Sequence, residues 1–396
     1  LFYFLDFHMD PHFIAGSDTS AFCHRKESLG DVGPFGALSS SCDSPPALVE
    51  EVFKFLKTLP KNDFVIYTGD SARHNRDKKE IPRDYDEALE TQNIIVRHFM
   101  ETFDTSTTKV VPVIGNNDVE KNNDCSADDP AYEAIQKVWS PLNLNIEQDF
   151  YHGGYYAQDL IPGRLRVLNT NTMLFSAKNK LNKIDCDVED SPGYNHMGWL
   201  KSQLDNARGQ QIKVYISAHV PPNSKRDRVF YKAACYNRYY QLLGDYADVI
   251  LGHFAGHFNN DVLTAVVKGP GLDQFDGKPC NITSPTPQAL GVLFNAPSVI
   301  PLNNPGIRVY EYETTGERAP IGTILTYKQY YADIQEANSK GVLTFKLEYD
   351  AAQLYGVERF DAAGMTHILE SLAANPQAFE EFTRVKNPLP PPPEDD

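Results

Sequence analysis

Residues 64–70 read Phe64-Val65-Ile66-Tyr67-Thr68-Gly69-Asp70. A short run of β-branched and aromatic residues closed by glycine predicts a buried strand that stops at a turn. Asp70 therefore stands where a strand ends and a loop begins. The same arrangement recurs on either side. Leu1-Phe-Tyr-Phe-Leu5 runs into Asp6-Phe7-His8, with residues 1–8 read as the first strand. Val110-Val-Pro-Val-Ile114 runs into Gly115-Asn116-Asn117-Asp118, and Lys213-Val-Tyr-Ile216 into Ala218-His219. Ala247-Asp-Val-Ile-Leu251 leads towards Gly256-His257-Phe258-Asn259. Helical patterns fill the intervals, at 45–59, 84–103, 132–139, 196–208 and 231–246. Strands alternating with helices predict an α/β protein whose polar residues gather at strand ends. Carboxylate, imidazole and amide ligands without thiolates suit hard or borderline divalent metals. A carboxylate such as Asp70 can bridge two ions, so the set reads as a site for two-metal phosphoryl hydrolysis.

Composition bounds this reading. The 396 residues are 41% hydrophobic, with 22 Phe and 21 Tyr, which is ample for a core. No apolar run reaches the roughly eighteen residues of a helical membrane span. Leu1 opens directly in a strand-like run, as an excised domain would, which leaves room for a signal or membrane anchor upstream. Further strand-like runs follow residue 260, at 291–294 and 307–312, and Arg359–Val385 has a helical portion. The domain reading is a catalytic unit at 1–327, an appendage packed on it at 328–386, and a Pro-rich disordered tail at 387–396.

Six cysteines, at 23, 42, 125, 186, 235 and 280, show no zinc-like spacing. An even count favours disulfides in an extracytosolic compartment. The preferred pairs are Cys23 with Cys42 and Cys186 with Cys235, leaving Cys125 with Cys280, although other pairings stay open. Asn281-Ile-Thr283 is a glycosylation sequon, and with the cysteines it favours a vacuolar or other secretory-pathway lumen.

The formal net charge of −16 argues against general binding to nucleic acid or anionic membrane. Positive charge is nevertheless bunched near the motifs, in Arg25-Lys26, in Arg73-His74-Asn75-Arg76-Asp77-Lys78-Lys79, and in Lys225-Arg226-Asp227-Arg228. Any one run reads as an ordinary solvated loop; three beside the same motifs read as a funnel for an anionic substrate.

The ordered series D-x-H, GD, GN, H, GH resembles the calcineurin-like metallophosphoesterase superfamily. A narrower likeness rests on Ala21-Phe-Cys-His-Arg25, Ser41-Cys-Asp-Ser-Pro45, Thr68-Gly-Asp-Ser-Ala-Arg-His74 and Gly115-Asn-Asn-Asp-Val119, with Gly256-His-Phe-Asn259. Together with Ser298-Val-Ile-Pro301 and Tyr327-Lys-Gln-Tyr-Tyr-Ala332 these are similar to the fungal vacuolar endopolyphosphatases. Acid sphingomyelinase-like phosphodiesterases share the GD…H portion. The resemblance implies a four-layer α-β-β-α sandwich with two mixed β-sheets. It implies a first metal held by Asp6, His8 and Asp70, with Asn259 where the superfamily usually has histidine. Asp70 would bridge to a second metal completed by Asn116, His219 and His257. The two ions would come from iron, zinc, manganese, magnesium and cobalt. His74 would contact phosphate or donate a proton. Arg73 and Arg76 would hold neighbouring phosphates, with Arg25, Lys78, Lys79, Lys225 and Arg226 around them.

Two departures from the superfamily pattern bear on the substrate. Asn117 stands where many members have a histidine that protonates the leaving alkoxide. An amide cannot act as that acid, which harms ester cleavage more than anhydride cleavage, because phosphate is a weakly basic leaving group. Asn259 offers a neutral oxygen in place of imidazole, which favours a harder ion. The leading expectation is internal cleavage of inorganic polyphosphate by a metal-bridged hydroxide. The alternatives are a sphingomyelinase-like or nucleotide phosphodiesterase and, from a different class, an inactive polyphosphate-binding protein. His12, His24, His98, His152, His196 and His367 lack motif context and read as solvated or core residues. His253 is a minority candidate for the place of His257, and Asp10 and Asp118 read as supporting residues.

Overall fold

The computed structural model describes residues 1–4, 6–25, 30, 32–223, 229–267 and 288–386. Among these residues twelve strands run in chain order: β1 Phe2–Phe4, β2 Phe64–Tyr67, β3 Lys109–Pro112, β4 Tyr156–Ile161, β5 Leu165–Asn169, β6 Lys213–Ala218, β7 Ile250–Ala255, β8 Val262–Val267, β9 Ala289–Asn295, β10 Gly306–Tyr312, β11 Ile324–Ala332 and β12 Phe345–Asp350. They form two six-stranded sheets, ordered β12-β11-β10-β1-β2-β3 and β4-β5-β6-β7-β9-β8. Both are mixed. In the first, β1, β2 and β3 are parallel while β10, β11 and β12 pair antiparallel. In the second, β5, β6, β7 and β9 are parallel, with β4 and β8 antiparallel at the edges.

Strand alternation accounts for the layering. Phe64 and Ile66 point between the sheets, where they meet Tyr215, Phe254, Phe294 and Tyr310 in one apolar cluster. Val65 and Tyr67 point outwards under helices α1 (Pro46–Leu56) and α2 (Tyr85–Thr102). Val214 and Ile216 do the same on the second sheet, in the cluster shared by α5 (Pro192–Gly209) and α6 (Ala233–Asp245). Burial on both faces is why these strands read as continuous apolar runs. Helices α3 (Pro130–Trp139) and α4 (Gln148–Gly153) lie between β3 and β4 in the chain. The last third adds α7 (Ile334–Lys340), α8 (Ala351–Tyr355), α9 (Ala362–Ala374) and α10 (Pro376–Arg384). The expected four layers and two mixed sheets are present.

Several expectations are corrected. The first strand ends at Phe4, because the chain turns at Asp6 and His8 with φ of 33° and 42°. The strand expected over 247–251 lies at Ile250–Ala255. The helical portion at 359–385 is two helices broken at Asn375, whose side chain caps the second. The domain boundary drawn between 327 and 328 falls inside β11, a single strand that pairs with β10 over its length. The Pro-rich tail lies outside the described residues. Both preferred disulfides, Cys23–Cys42 and Cys186–Cys235, are formed. Cys125 is free and buried among the described residues, and Cys280 and Asn281 lie outside them.

Candidate metal centre

The parallel strands deliver five loops to one edge, where the two sheets face each other. Gly69 and Gly115 set the closest approach. A Cβ on Gly69 would meet the Gly115 nitrogen at 2.4 Å, and one on Gly115 would meet the Asp70 nitrogen at 2.1 Å. Glycine is therefore required for the GD and GN turns to touch backbone to backbone. Asp118 clamps the pair by accepting from the backbone amides of Asp70 (2.8 Å), Ser71 (2.9 Å) and Gly115 (2.9 Å). Asp118, read from the sequence as a supporting residue, thus holds the Asp70 turn.

Two groups of ligand atoms result. Asp6, His8 and Asp70 form one and Asp70, His219 and His257 the other, the atoms of each lying within 4.8 Å of one another. Asp70 belongs to both. His8 Nδ1 is 3.0 Å from the Ala72 carbonyl and His219 Nδ1 is 2.7 Å from that of Thr68. Each ring therefore donates Nδ1–H backwards and turns Nε2 to Asp70 Oδ2, at 3.4 Å and 3.3 Å. His219 Nε2 also reaches Asn116 Oδ1 at 2.8 Å. Asp6, His8, Asp70, His257 and Asn259 all have positive φ, between 33° and 72°. That backbone region costs a non-glycine residue about 1–3 kcal/mol, and such strain concentrates at functional sites.

Charge in the chamber is unbalanced. Burial pushes the Asp6 carboxyl up to about 8. Burial alone would raise Asp70 too, but His219 and His8 beside it hold it well below the usual carboxylate range. His219 rises to about 9, the pull of Asp70 and Asp6 outweighing burial. His8 and His257 are pushed down to about 3, chiefly by burial, and so stand as neutral imidazoles, the form that binds metal. Asp6 Oδ1 and Asn259 Oδ1 are buried with no hydrogen-bond partner. Orphaned oxygens, neutral imidazoles and buried carboxylates together fit a donor set for hard or borderline cations.

His74 stacks on His8 with ring centroids 4.0 Å apart. Its backbone amide donates to Asp43 Oδ2 at 2.6 Å and its Nδ1 lies 2.8 Å from Asp43 Oδ1. Asp43, held down to about 2 because His74 and Arg76 outweigh its burial, was not singled out as a site residue. Its only sequence signal was its place in Ser41-Cys42-Asp43-Ser44. Asn117 donates its backbone N–H to Asp70 Oδ1 (2.6 Å) and its side-chain amide to Asp70 Oδ2 (2.9 Å).

The cationic funnel needs correction. Arg73, expected to hold phosphate, is buried, and its guanidinium is committed to Glu87 at 2.5 Å and to the Ile81 carbonyl. Arg76 pairs with Asp43 at 2.9 Å, Arg25 with Asp77 at 2.6 Å and Lys79 with Glu80 at 3.3 Å. Lys78 is exposed, and Lys225 and Arg226 lie outside the described residues. His253 sits within β7 and bonds the Tyr239 hydroxyl, away from both ligand groups.

A four-layer sandwich with two carboxylate–histidine groups sharing one aspartate at its strand ends defines a metallophosphoesterase. The calcineurin-like phosphoesterase pattern matches residues 10–261, and the acid sphingomyelin phosphodiesterase C-terminal region matches 292–384. The chain belongs to the calcineurin-like phosphoesterase family, whose members carry a dinuclear metal centre and hydrolyse phosphate compounds. Endopolyphosphatase of Saccharomyces cerevisiae is 33% identical over 65% of this chain and 39% of its own length. Cyclic GMP-AMP phosphodiesterase SMPDL3A of Homo sapiens is 30% identical over 89% of this chain and 74% of its own length. The chain thus spans about two-fifths of the length of the fungal relatives. Among solved structures, a dimetal phosphatase from Danio rerio aligns with a TM-score of 0.42 at 12% identity, over 71% of this chain and 84% of its own.

Proposed function

We propose that this protein hydrolyses phosphoanhydride bonds of inorganic polyphosphate, cutting within the chain. The observation that carries the reading is Asn117, an amide held on Asp70 where proton donation to a leaving alkoxide would be required. Asp6, His8, Asp70 and Asn259 would hold one cation, and Asp70, Asn116, His219 and His257 the other. Bound there, the pair would neutralise phosphoryl charge and acidify water at the site. The chain's own groups do the rest. Asn117 and Asp118 fix the orientation of Asp70. Asp43 fixes His74 through Nδ1, which aims Nε2 at the space beside His8, where it can hold a phosphoryl oxygen. A departing phosphate needs little protonation, so no further acid is required. The two disulfides and the fungal likeness support a lumenal, vacuole-type setting.

A second reading, phosphodiester hydrolysis, is favoured by the match at 292–384 and by the wider coverage of the human relative. Digestion of long-chain polyphosphate under defined metals, with sizing of the products, separates the two. Intermediate lengths are expected; turnover of nucleotide or phosphocholine diesters with polyphosphate untouched overturns the reading. Asp70→Asn should lose at least about a thousandfold in kcat together with bound metal. An Asp70→Asn protein as active as the parent would reject the two-metal site.

A further inference from the structure

Of the five described cations in the three basic runs, four are committed to acids, but a different lysine lies close to the His257 wall of the centre. Lys178 Nζ lies 5.4 Å from the centroid of the Phe230 ring, and Phe230 packs edge-on against His257 at 5.2 Å. Lys178 is exposed and has no carboxylate partner among the described residues. The segment carrying it is anchored to both walls of the site. The Ala177 amide donates to the Phe230 carbonyl at 2.8 Å. Asn179 donates its side-chain amide to the Cys125 carbonyl at 2.8 Å, and the Lys180 amide donates to Asp124 at 2.6 Å. Asp124 closes the loop that begins with Asn116 and Asn117. Lys180 and Lys183 follow, also exposed and without a carboxylate partner among the described residues.

We infer that Lys178, with Lys180 and Lys183 beyond it, is a cationic track that holds the phosphates flanking the scissile bond on the His257 side. The inference rests on the polyphosphate reading and adds the residues that select for chain length. A linear polyphosphate carries about one negative charge per unit, so an extended chain leaving the centre meets successive ammonium groups, whereas a short substrate ends before them. Lysine suits this task as a mobile point charge that need not fix one geometry. The Lys178 position over Phe230 also covers one face of that ring, which disfavours stacking of a base there.

The test is steady-state kinetics of the metal-loaded protein on long-chain polyphosphate and on tripolyphosphate. Lys178→Met keeps the stem over Phe230 and removes the charge. It should raise the ratio of long-chain to tripolyphosphate KM about threefold to tenfold, the effect falling on KM rather than kcat. Lys178→Arg should restore the ratio, and Lys178→Met should flatten its dependence on salt. Lys201→Met, on α5 and paired with Asp205 at 2.7 Å, serves as the charge-matched comparison. An unchanged ratio in Lys178→Met, with polyphosphate still cut, overturns the track and leaves the substrate reading standing. A parent protein that cuts diesters and no polyphosphate overturns both.

Discussion

Asp43 holds His74 from two sides, through the ring and through the backbone amide, and also accepts from Arg76. Asp43→Asn keeps the shape but offers one oxygen in place of two, and its amide opposes Arg76. Partners of this kind typically cost ten- to a hundredfold when removed. We therefore expect kcat on polyphosphate to fall about ten- to a hundredfold while bound metal stays at the parent level. Equal metal with full activity would mean that Asp43 serves only the fold. The residues that the structure gathers around Asp70 were legible because each is punctuated by an apolar run and a turn, a local signal. Asp43 and Lys178 were not, because their meaning lies in contacts across the fold. Asp43 meets His74 over a separation of 31 residues, and Lys178 gains its meaning only beside Phe230 and His257. Arg73 shows the converse. Its charge is plain in the sequence, but whether it faces substrate or Glu87 depends on which side of the turn is buried.

At the scale of elements, the core strands and the main helices were readable, since continuous apolar runs and 3.6-residue periodicity are strong local patterns. The edge strands β4 and β12 were not, because half-exposed residues weaken the pattern. β12 carries a residue whose cost is testable. Both carboxylate oxygens of Glu348 are buried without a hydrogen-bond partner, and burial followed by the Asp261 charge raises its pKa to about 8. A carboxyl raised in the fold binds a proton there that the unfolded chain gives up near pH 4.5, so stability falls as pH rises from there to about 8. Glu348→Gln should therefore raise Tm at pH 8 and change it much less at pH 4.5, as calorimetry at the two values would show. An equal change at both would mean that the carboxyl is ionised throughout. The Cys23–Cys42 bridge, with a sequence separation of 19, ends one residue before Asp43. Replacing both cysteines by alanine should cost about 3 kcal/mol and lower kcat through the loosened Asp43, measurable by denaturant unfolding and turnover on one sample.

At the scale of the whole molecule, the two sheets and the C-terminal helices are joined at one buried cation. Arg308 on β10 pairs with Asp261 at 2.5 Å, donates to Gln329 on β11 at 2.9 Å and to the Tyr349 hydroxyl on β12 at 3.2 Å, and lies over the Tyr327 ring at 4.1 Å. Asp261 leads into β8 of the other sheet, and its amide donates to the Lys386 carbonyl at 2.8 Å, just past α10. A chain cut after Tyr327 would lose Gln329, Tyr349 and Lys386 at once and half of β11. The residues after 327 are then part of the core that supports the catalytic loops, and we propose that they form one folding unit with the rest. Residues 1–327 alone are expected to be insoluble or to melt without a cooperative transition, whereas 1–386 should unfold in one step. Removing one partner of a buried ion pair costs about 3–5 kcal/mol, while replacing both by apolar residues is far milder. Asp261→Asn should therefore destabilise by about that amount, and Asp261→Leu with Arg308→Met by much less. A cooperative melt of 1–327 at the parent temperature would restore the boundary at 327 and reduce the Arg308 cluster to a local contact.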